Sequence, residues 1–143
     1  MPNFCDSHRL PHANVDPIDD TAARLLISSC LAIPRRPETI VLLLDHARRG
    51  VEVVGIVNTR DPDSIYGVAE IVISRAIHMP EVAGAVIGSA RPDGGEDLVD
   101  VDRWLDIDEE LSCTGVELIE WYVIGRSVRL PRLDLGEPAR WMP

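Results

Sequence analysis

A continuous apolar run near residue 40 is the sequence feature that most constrains the fold. Residues 39–44 read Thr-Ile-Val-Leu-Leu-Leu, with no polar residue after the threonine. A strand with one face in water alternates apolar and polar residues, so an unbroken run indicates a strand that is covered on both faces. Layers on both faces of a sheet are typical of α/β proteins. The run therefore predicts an α/β fold in which helices flank a mixed β-sheet.

Helices and strands are predicted in turn on both sides of this run. A helix is expected to begin near Asp16 and Pro17, because aspartate caps a helix and proline fits its first turn, and to end before Pro34. The segment Asp45–Gly50 predicts a tight turn, so that the next strand closes a hairpin. Because a helix separates the last two predicted strands, they are expected to be parallel. The elements predicted after the turn are a strand at 51–57, a helix at 65–79, a strand at 82–87, a helix at 99–111 and a strand at 116–124.

The length of the chain predicts one domain between two terminal segments. A chain of 143 residues suits a single hydrophobic core. Residues 1–16 contain Pro2 and Pro11 and no periodic apolar pattern, which predicts irregular backbone. The predicted divisions are an irregular segment at 1–16, a domain at 17–130 and a proline-punctuated tail at 131–143.

Charge and composition restrict the classes of partner. The net charge is −10, which repels phosphate backbones and makes nucleic acid an unlikely partner. No apolar run approaches the ~20 residues that span a bilayer, and the first residues lack the apolar core of a signal peptide. The three cysteines include no Cys-x-x-Cys pair, so neither a disulfide framework nor a zinc ribbon is indicated. A cytoplasmic protein that does not bind membranes is expected.

The glycine-rich segment Gly88–Gly95 is the first candidate for chemistry. It follows a predicted strand and precedes a predicted helix, where α/β proteins place ligands. It contains neither a Gly-Lys-Ser/Thr phosphate loop nor a Gly-x-Gly-x-x-Gly motif, so an ordinary turn is the competing interpretation. Arg91 could bind an anion or lie in solvent. Ser89 could act as a nucleophile only beside a base, and no Gly-x-Ser-x-Gly elbow surrounds it.

Acidic and aromatic residues follow this segment. Residues 96–110 alternate acidic with apolar positions, which favours an amphipathic helix with a solvated acidic face over a metal site. Trp104 and Trp121 are expected either to pack in the core or to serve as interface anchors. Trp141 could dock the C-terminal segment or a partner.

The stretch Ile40–Gly125 resembles the RadC-like JAB/MPN family, which has a cytidine-deaminase-like α/β architecture. The strand Val41–Asp45 is similar to the apolar strand ending in Leu-Asp that opens the family core. Arg48–Gly50 matches the family's hairpin, Ala69–Val72 its next helix, and Ile119–Gly125 its closing strand. The resemblance implies the fold of a zinc hydrolase.

The metal site of the family is where this chain departs from the pattern. The family reads His-Asn-His-Pro-Ser-Gly after its third strand, and the two imidazoles bind zinc with a later aspartate. Aligned on Pro92 and Gly94, this chain places Ser89 and Arg91 at the two histidine positions and Asp102 at the aspartate position. The family's catalytic glutamate falls near Val54, and Glu52 stands two residues away.

The resemblance therefore implies a pseudoenzyme without metal or other cofactor. Serine and a cationic arginine do not replace two imidazoles as zinc ligands, and Arg91 could pair with Asp102 instead. A non-catalytic scaffold that binds a protein partner or forms a homodimer is the leading hypothesis. The alternatives are a hydrolase of another class that uses Ser89, Arg91 or Asp102 in the Gly88–Gly95 cleft, and a RadC-like protein associated with nucleic acid.

Overall fold

The computed structural model describes the backbone of Phe4–His8 and residues 16–94 and 97–141. Within these residues, no helix is both long and apolar enough to cross a lipid bilayer. The strands are β1 (Phe4–His8), β2 (Glu38–Leu44), β3 (Gly50–Val57), β4 (Gly84–Ala90), β5 (Glu117–Ile124) and β6 (Val128–Arg129). The helices are α1 (Asp20–Cys30), α2 (Ser64–His78), α3 (Asp100–Cys113) and α4 (Pro131–Leu135).

The described strands form one mixed sheet in the order β1-β3-β2-β4-β5-β6. β2 lies between β3 and β4 and is antiparallel to both, and β3 follows it through the predicted hairpin. β4 and β5 are parallel, and α3 connects them. The predicted mixed sheet and its parallel pair are therefore confirmed. The carboxyl ends of β4 and β5 meet at the same edge of the sheet.

Helices cover the sheet on both faces, which explains the apolar run in β2. Val41 and Leu43 contribute to a core between the sheet and the helices α2 and α3. Ile40, Leu42 and Leu44 contribute to a second core between the sheet and α1. Because alternate side chains of a strand point to opposite faces, both sets must be apolar when both faces are covered. The helices and strands predicted between residues 39 and 124 are present.

The boundaries differ from the prediction at the start of the first helix. α1 begins at Asp20 rather than near Asp16, and its N-cap is Asp19, whose side chain accepts a hydrogen bond from the Ala22 N–H at 2.8 Å. Each acidic residue of this segment could cap a helix in isolation. The cap that forms is the one that lets Ala23 and Ile27 face the sheet.

Both terminal segments of the chain contain regular structure. β1 pairs with β3 over Phe4–His8, so the prediction of an irregular segment at 1–16 is wrong for these five residues. A strand at a sheet edge is held by backbone hydrogen bonds, which do not require an apolar pattern in its sequence. In the predicted tail, Pro131 opens α4 and Gly136 ends it with a φ of +82°. Both are favoured at these positions, proline in the first turn and glycine after the last.

A buried ion pair fixes α4 to the sheet. Glu120 of β5 is 1% exposed, and Arg132 of α4 is 5% exposed. The Arg132 Nη2 atom lies 3.0 Å from Glu120 Oε2, and Arg132 Nη1 donates to the Glu137 carbonyl at 2.7 Å. The C-terminal segment is thus part of the packed structure, since one partner of a buried pair lies within it.

Candidate functional site

The candidate site lies where β4 ends, but the strand reaches further than predicted. Gly88, Ser89 and Ala90 belong to β4, so the loop begins at Arg91 and not at Gly88. A Cβ atom at Gly88 would lie 2.6 Å from Ile27 Cγ2 of α1. Gly88 therefore permits α1 to approach the sheet and is not a turn residue. The prediction of a loop over Gly88–Gly95 is wrong for its first three residues, and Gly95 lies outside the described residues.

Ser89 is held in a chain of buried polar groups. Its Oγ accepts a hydrogen bond from Trp121 Nε1 at 3.0 Å and lies 3.4 Å from Thr39 Oγ1. Thr39 Oγ1 is in turn 3.0 Å from Thr59 Oγ1. A serine nucleophile needs a neighbouring base to accept its proton. In residues 16–94 and 97–141, the hydrogen-bond partners of Ser89 Oγ are an indole and a hydroxyl, which have no such basicity.

Arg91 forms a two-pronged ion pair with Asp100. Its Nη1 and Nη2 atoms lie 2.6 Å and 2.9 Å from the two carboxylate oxygens of Asp100. The side chains are only 9% and 7% exposed. The predicted pairing with Asp102 is wrong, because Asp102 is exposed. Helical residues two apart point ~200° away from each other, so Asp102 faces solvent when Asp100 faces the sheet.

Arg103 joins this pair to two more carboxylates. Its Nη1 atom lies 3.0 Å from both Asp100 and Asp97, and its Nε donates to Asp63 at 2.8 Å. Burial lowers the pKa of Arg103, but the hydrogen bonds to its carboxylates outweigh burial and raise the pKa above its ordinary value. The Val99 N–H and then Arg103 lower the pKa of Asp97. Arg103 and Asp97 therefore stay charged near neutral pH.

Sequence reasoning missed Asp100, Arg103 and Asp63. The available signal was the spacing of Asp100 and Arg103, because residues three apart on a helix can pair. Asp63 precedes α2 and is 40 residues from Arg103 in the chain, so only the packing of α2 against α3 brings them together.

Two clefts flank the loop that begins at Arg91. Each has a volume of about 320 Å³. One lies toward the residues before α2 and is lined by Pro37, Arg60, Pro62, Ala90, Arg91, Pro92, Asp93, Gly94 and Asp97. The other lies toward the β5–β6 turn and is lined by Arg91, Pro92, Asp93, Gly94, Arg126, Ser127 and Arg129.

The predicted tryptophan anchors have different environments. Trp104 and Trp121 are both 0% exposed, so the prediction that they could anchor an interface is wrong, and the core interpretation holds. Arg91 lies over the ring of Trp121, with 5.7 Å from its Cζ to the ring centroid. Trp141 is half-buried and packs against the core on the α1 face.

Glu52 lies far from this site. It is opposite Leu43 on β2, whereas Ser89 is opposite Thr39, four residues along the same strand. At ~3.3 Å per residue the separation along the strand is roughly 13 Å. The Glu52 carboxylate instead pairs with Arg75 of α2 at 3.2 Å. The β2–β3 register shifts by one residue beside Glu52, between Leu43 and Leu44, and this bulge leaves Glu52 opposite Leu43.

Residues 16–94 and 97–141 contain no group of three or more histidine, cysteine, aspartate or glutamate side chains placed to hold a metal ion. Comparison of the chain with protein-family models, with curated proteins and with solved structures found no match.

Proposed function

We propose that this chain is a non-catalytic domain of the RadC-like JAB/MPN type that acts by binding a protein partner or a second copy of itself. The observation that carries the proposal is the buried ion pair between Arg91 and Asp100. In the resemblance, Arg91 stands at the position of a zinc-binding imidazole. Here that position holds a cation that already has its carboxylate partner.

The charges around Arg91 favour this proposal over a metal enzyme. A divalent cation beside two buried guanidinium groups would be repelled strongly in this weakly screened environment. The nearest buried carboxylate, Asp100, already accepts hydrogen bonds from Arg91 and Arg103. Without a bound metal ion, water keeps its ordinary pKa and the hydrolytic mechanism of the family is not available.

The position of the family's catalytic glutamate supports the same conclusion. It falls near Val54, which is 1% exposed and packs among apolar side chains of the core. An apolar residue there cannot move a proton. The order of elements from β2 to β5 supports the fold assignment, since a hairpin, a helix, a strand, a helix and a strand follow one another as the resemblance implies.

Exposed apolar side chains beside the site support a binding role. Leu98 is 87% exposed and Leu105 is 42% exposed. Leu98 lies two residues before α3, and Leu105 lies within it. Exposed leucines in and next to α3 are candidates for an interaction surface.

Metal analysis of the purified chain tests the proposal. We expect far less than one zinc ion per chain, both as purified and after incubation with zinc and removal of the excess. One tightly bound zinc per chain would overturn the proposal.

Size-exclusion chromatography with light-scattering detection of the molar mass tests the binding role. For the homodimer, we expect twice the chain mass, with a return to one chain mass in Leu105→Asp. Leu25→Asp is the control, since Leu25 is an exposed leucine of α1 on the opposite face of the sheet. A single chain mass for the unmodified protein would eliminate the homodimer and leave a different protein as the partner.

A further inference from the structure

We infer that the cleft between the loop at Arg91 and the β5–β6 turn binds the phosphate group of a small molecule. This arginine cleft has three arginines in its wall, Arg91, Arg126 and Arg129. The inference goes beyond the proposed function, because it concerns a small ligand and not a protein partner.

The arginine cleft lies where α/β proteins place ligands. β4 and β5 are parallel neighbours, and Arg91 and Arg126 come directly or almost directly after their carboxyl ends. The Arg91 N–H donates to the Ile124 carbonyl at 2.8 Å, which fixes the loop to the end of β5. The two walls therefore have a fixed separation, and the volume of about 320 Å³ suits a small ligand.

The described wall of the arginine cleft has more basic than acidic residues, although the chain carries a net charge of −10. Among the described residues, its lining includes three arginines and one acidic residue, Asp93. Asp93 pairs with Arg60 at 3.2 Å, on the side of the other cleft. Asp100 and Asp134, which pair with Arg91 and Arg129, are not part of the lining. Arg91, Arg129 and Asp93 each pair with a group of opposite charge, so the excess positive charge of the described lining comes from Arg126.

The arrangement of the arginines favours phosphate over carboxylate. Arg91, Arg126 and Arg129 come from three parts of the chain around the cleft, namely the loop after β4, the β5–β6 turn and β6. One guanidinium can form hydrogen bonds with both oxygens of a planar carboxylate, whereas the oxygens of a tetrahedral phosphate dianion can accept hydrogen bonds from several guanidinium groups. A long polyanion would also meet the negative field of the rest of the chain, which favours a small molecule over nucleic acid.

Two of the arginines are already oriented by carboxylates. Asp100 holds Arg91 through two contacts, and Asp134 lies 3.0 Å from Arg129 Nη2. Side chains that are fixed before binding lose little conformational freedom when a ligand arrives. Arg126 is exposed on the turn, so its replacement tests the cleft without disturbing the core.

Calorimetric titration of the full chain with inorganic phosphate, at constant ionic strength, tests the inference. We expect a Kd on the order of 1–10 mM for phosphate alone. Arg126→Gln should weaken binding roughly tenfold or more, as expected for the loss of a charge-assisted hydrogen bond. Arg49→Gln is the matched control, because Arg49 is an exposed arginine of the β2–β3 turn at the opposite end of the sheet. It should leave the Kd unchanged.

The inference would be overturned by no heat of binding at 20-fold the expected Kd, by an equal loss of affinity in Arg126→Gln and Arg49→Gln, or by acetate binding as tight as phosphate binding. An oligonucleotide that binds more tightly per phosphate than a small phosphomonoester would also contradict the assignment to a small molecule. None of these results depends on the zinc content, so the inference and the proposed function can fail separately.

Discussion

Two carboxylates of α3 show how position decides the role of a residue. Asp100 is the first residue of α3 and is 7% exposed in its side chain, with Arg91 and Arg103 as partners. Asp102 lies in the same turn and faces solvent. The sequence could not choose between them, since both fit the acidic start of a helix. Asp100 is the residue that pairs with Arg91, because α3 begins close to the end of β4.

Asp100→Asn is expected to destabilise the fold strongly. The change removes the buried carboxylate that contacts both Arg91 and Arg103, while Arg103 keeps Asp63 and Asp97, and we expect a cost of about 3–5 kcal/mol of the free energy of unfolding. Asp102→Asn is the control and should change it by less than ~0.5 kcal/mol, because the side chain is exposed. Urea unfolding measures both. Equal effects of the two changes would contradict the assigned role of Asp100.

A tyrosine on α2 is expected to titrate late. The Tyr66 hydroxyl donates to Asp106 at 2.7 Å, and this hydrogen bond, with burial, raises the pKa of Tyr66 to about 12. Burial and then Asp20 also raise the pKa of Tyr122, the other tyrosine. The folded-state pKa of Tyr66 lies above the ordinary value of 10, so its contribution to stability is complete below pH 10 and is lost as the pH rises toward 12.

The ultraviolet absorbance of tyrosinate measures this shift. We expect no tyrosine of the folded chain to ionise near pH 10, and one to do so in Asp106→Asn. Circular dichroism at each pH establishes that the chain remains folded. Ionisation near pH 10 in the unmodified chain would show that the hydrogen bond between Tyr66 and Asp106 is absent in solution.

At the scale of elements, the contact between β4 and α1 depends on one glycine. Gly88→Ala places a Cβ against Ile27 and should cost about 1–3 kcal/mol through overpacking. Ile27→Ala alone costs about 2–5 kcal/mol because it leaves a cavity. The double variant should lose at least ~0.5 kcal/mol less than the sum, since the added methyl group occupies part of that cavity.

Gly94→Ala is the control for this cycle. No atom lies within 4 Å of a Cβ atom at Gly94, so thermal or urea unfolding should show almost no change. Additive losses in Gly88→Ala and Ile27→Ala would mean that the two residues do not share a contact.

Elements with an apolar pattern could be predicted from the sequence. Elements that are held in place by backbone hydrogen bonds or by ion pairs could not. β2, α2 and β5 follow the pattern of the core that they line. β1 and the two-residue β6 lie at the edges of the sheet, where backbone pairing suffices. α4 depends on the buried pair between Arg132 and Glu120. The same limit applies to the site: Ser89 and Arg91 could be singled out, whereas Asp63 reaches Arg103 only in the folded chain.

At the scale of the whole molecule, the C-terminal segment stabilises the sheet that precedes it. Arg140 donates to the Leu118 carbonyl at 2.9 Å and pairs with Asp108 at 2.7 Å. Its guanidinium also lies 5.1 Å from the centroid of the Trp104 ring. Together with Arg132, it links the last residues of the described chain to β5 and α3.

Arg132→Met tests this role. It leaves the Glu120 carboxylate buried without its guanidinium and should cost about 3–5 kcal/mol. The double change Glu120→Leu with Arg132→Met should recover most of the loss, because apolar residues replace a buried pair well. Arg129→Met is the control and should cost less than ~1 kcal/mol, since its pair with Asp134 is exposed. Chemical unfolding measures the free energy of unfolding of each variant. Similar losses of this free energy in Arg132→Met and Arg129→Met would show that burial does not set the cost.

The apolar run of β2 has a further consequence before the chain is folded. An uncharged, β-branched and leucine-rich segment of this length is of the kind that associates with copies of itself into aggregates. Its nearest partner is β3, and the hairpin turn between them is stabilised by Asp45, which accepts hydrogen bonds from the Ala47 and Arg49 N–H groups at 2.9 Å each. A local hairpin forms in ~1–10 μs, long before β4 can be recruited from 40 residues downstream. We therefore expect the hairpin closed at Asp45 to pair β2 with β3 before β4 is available, which leaves less of the apolar run open to association with other chains.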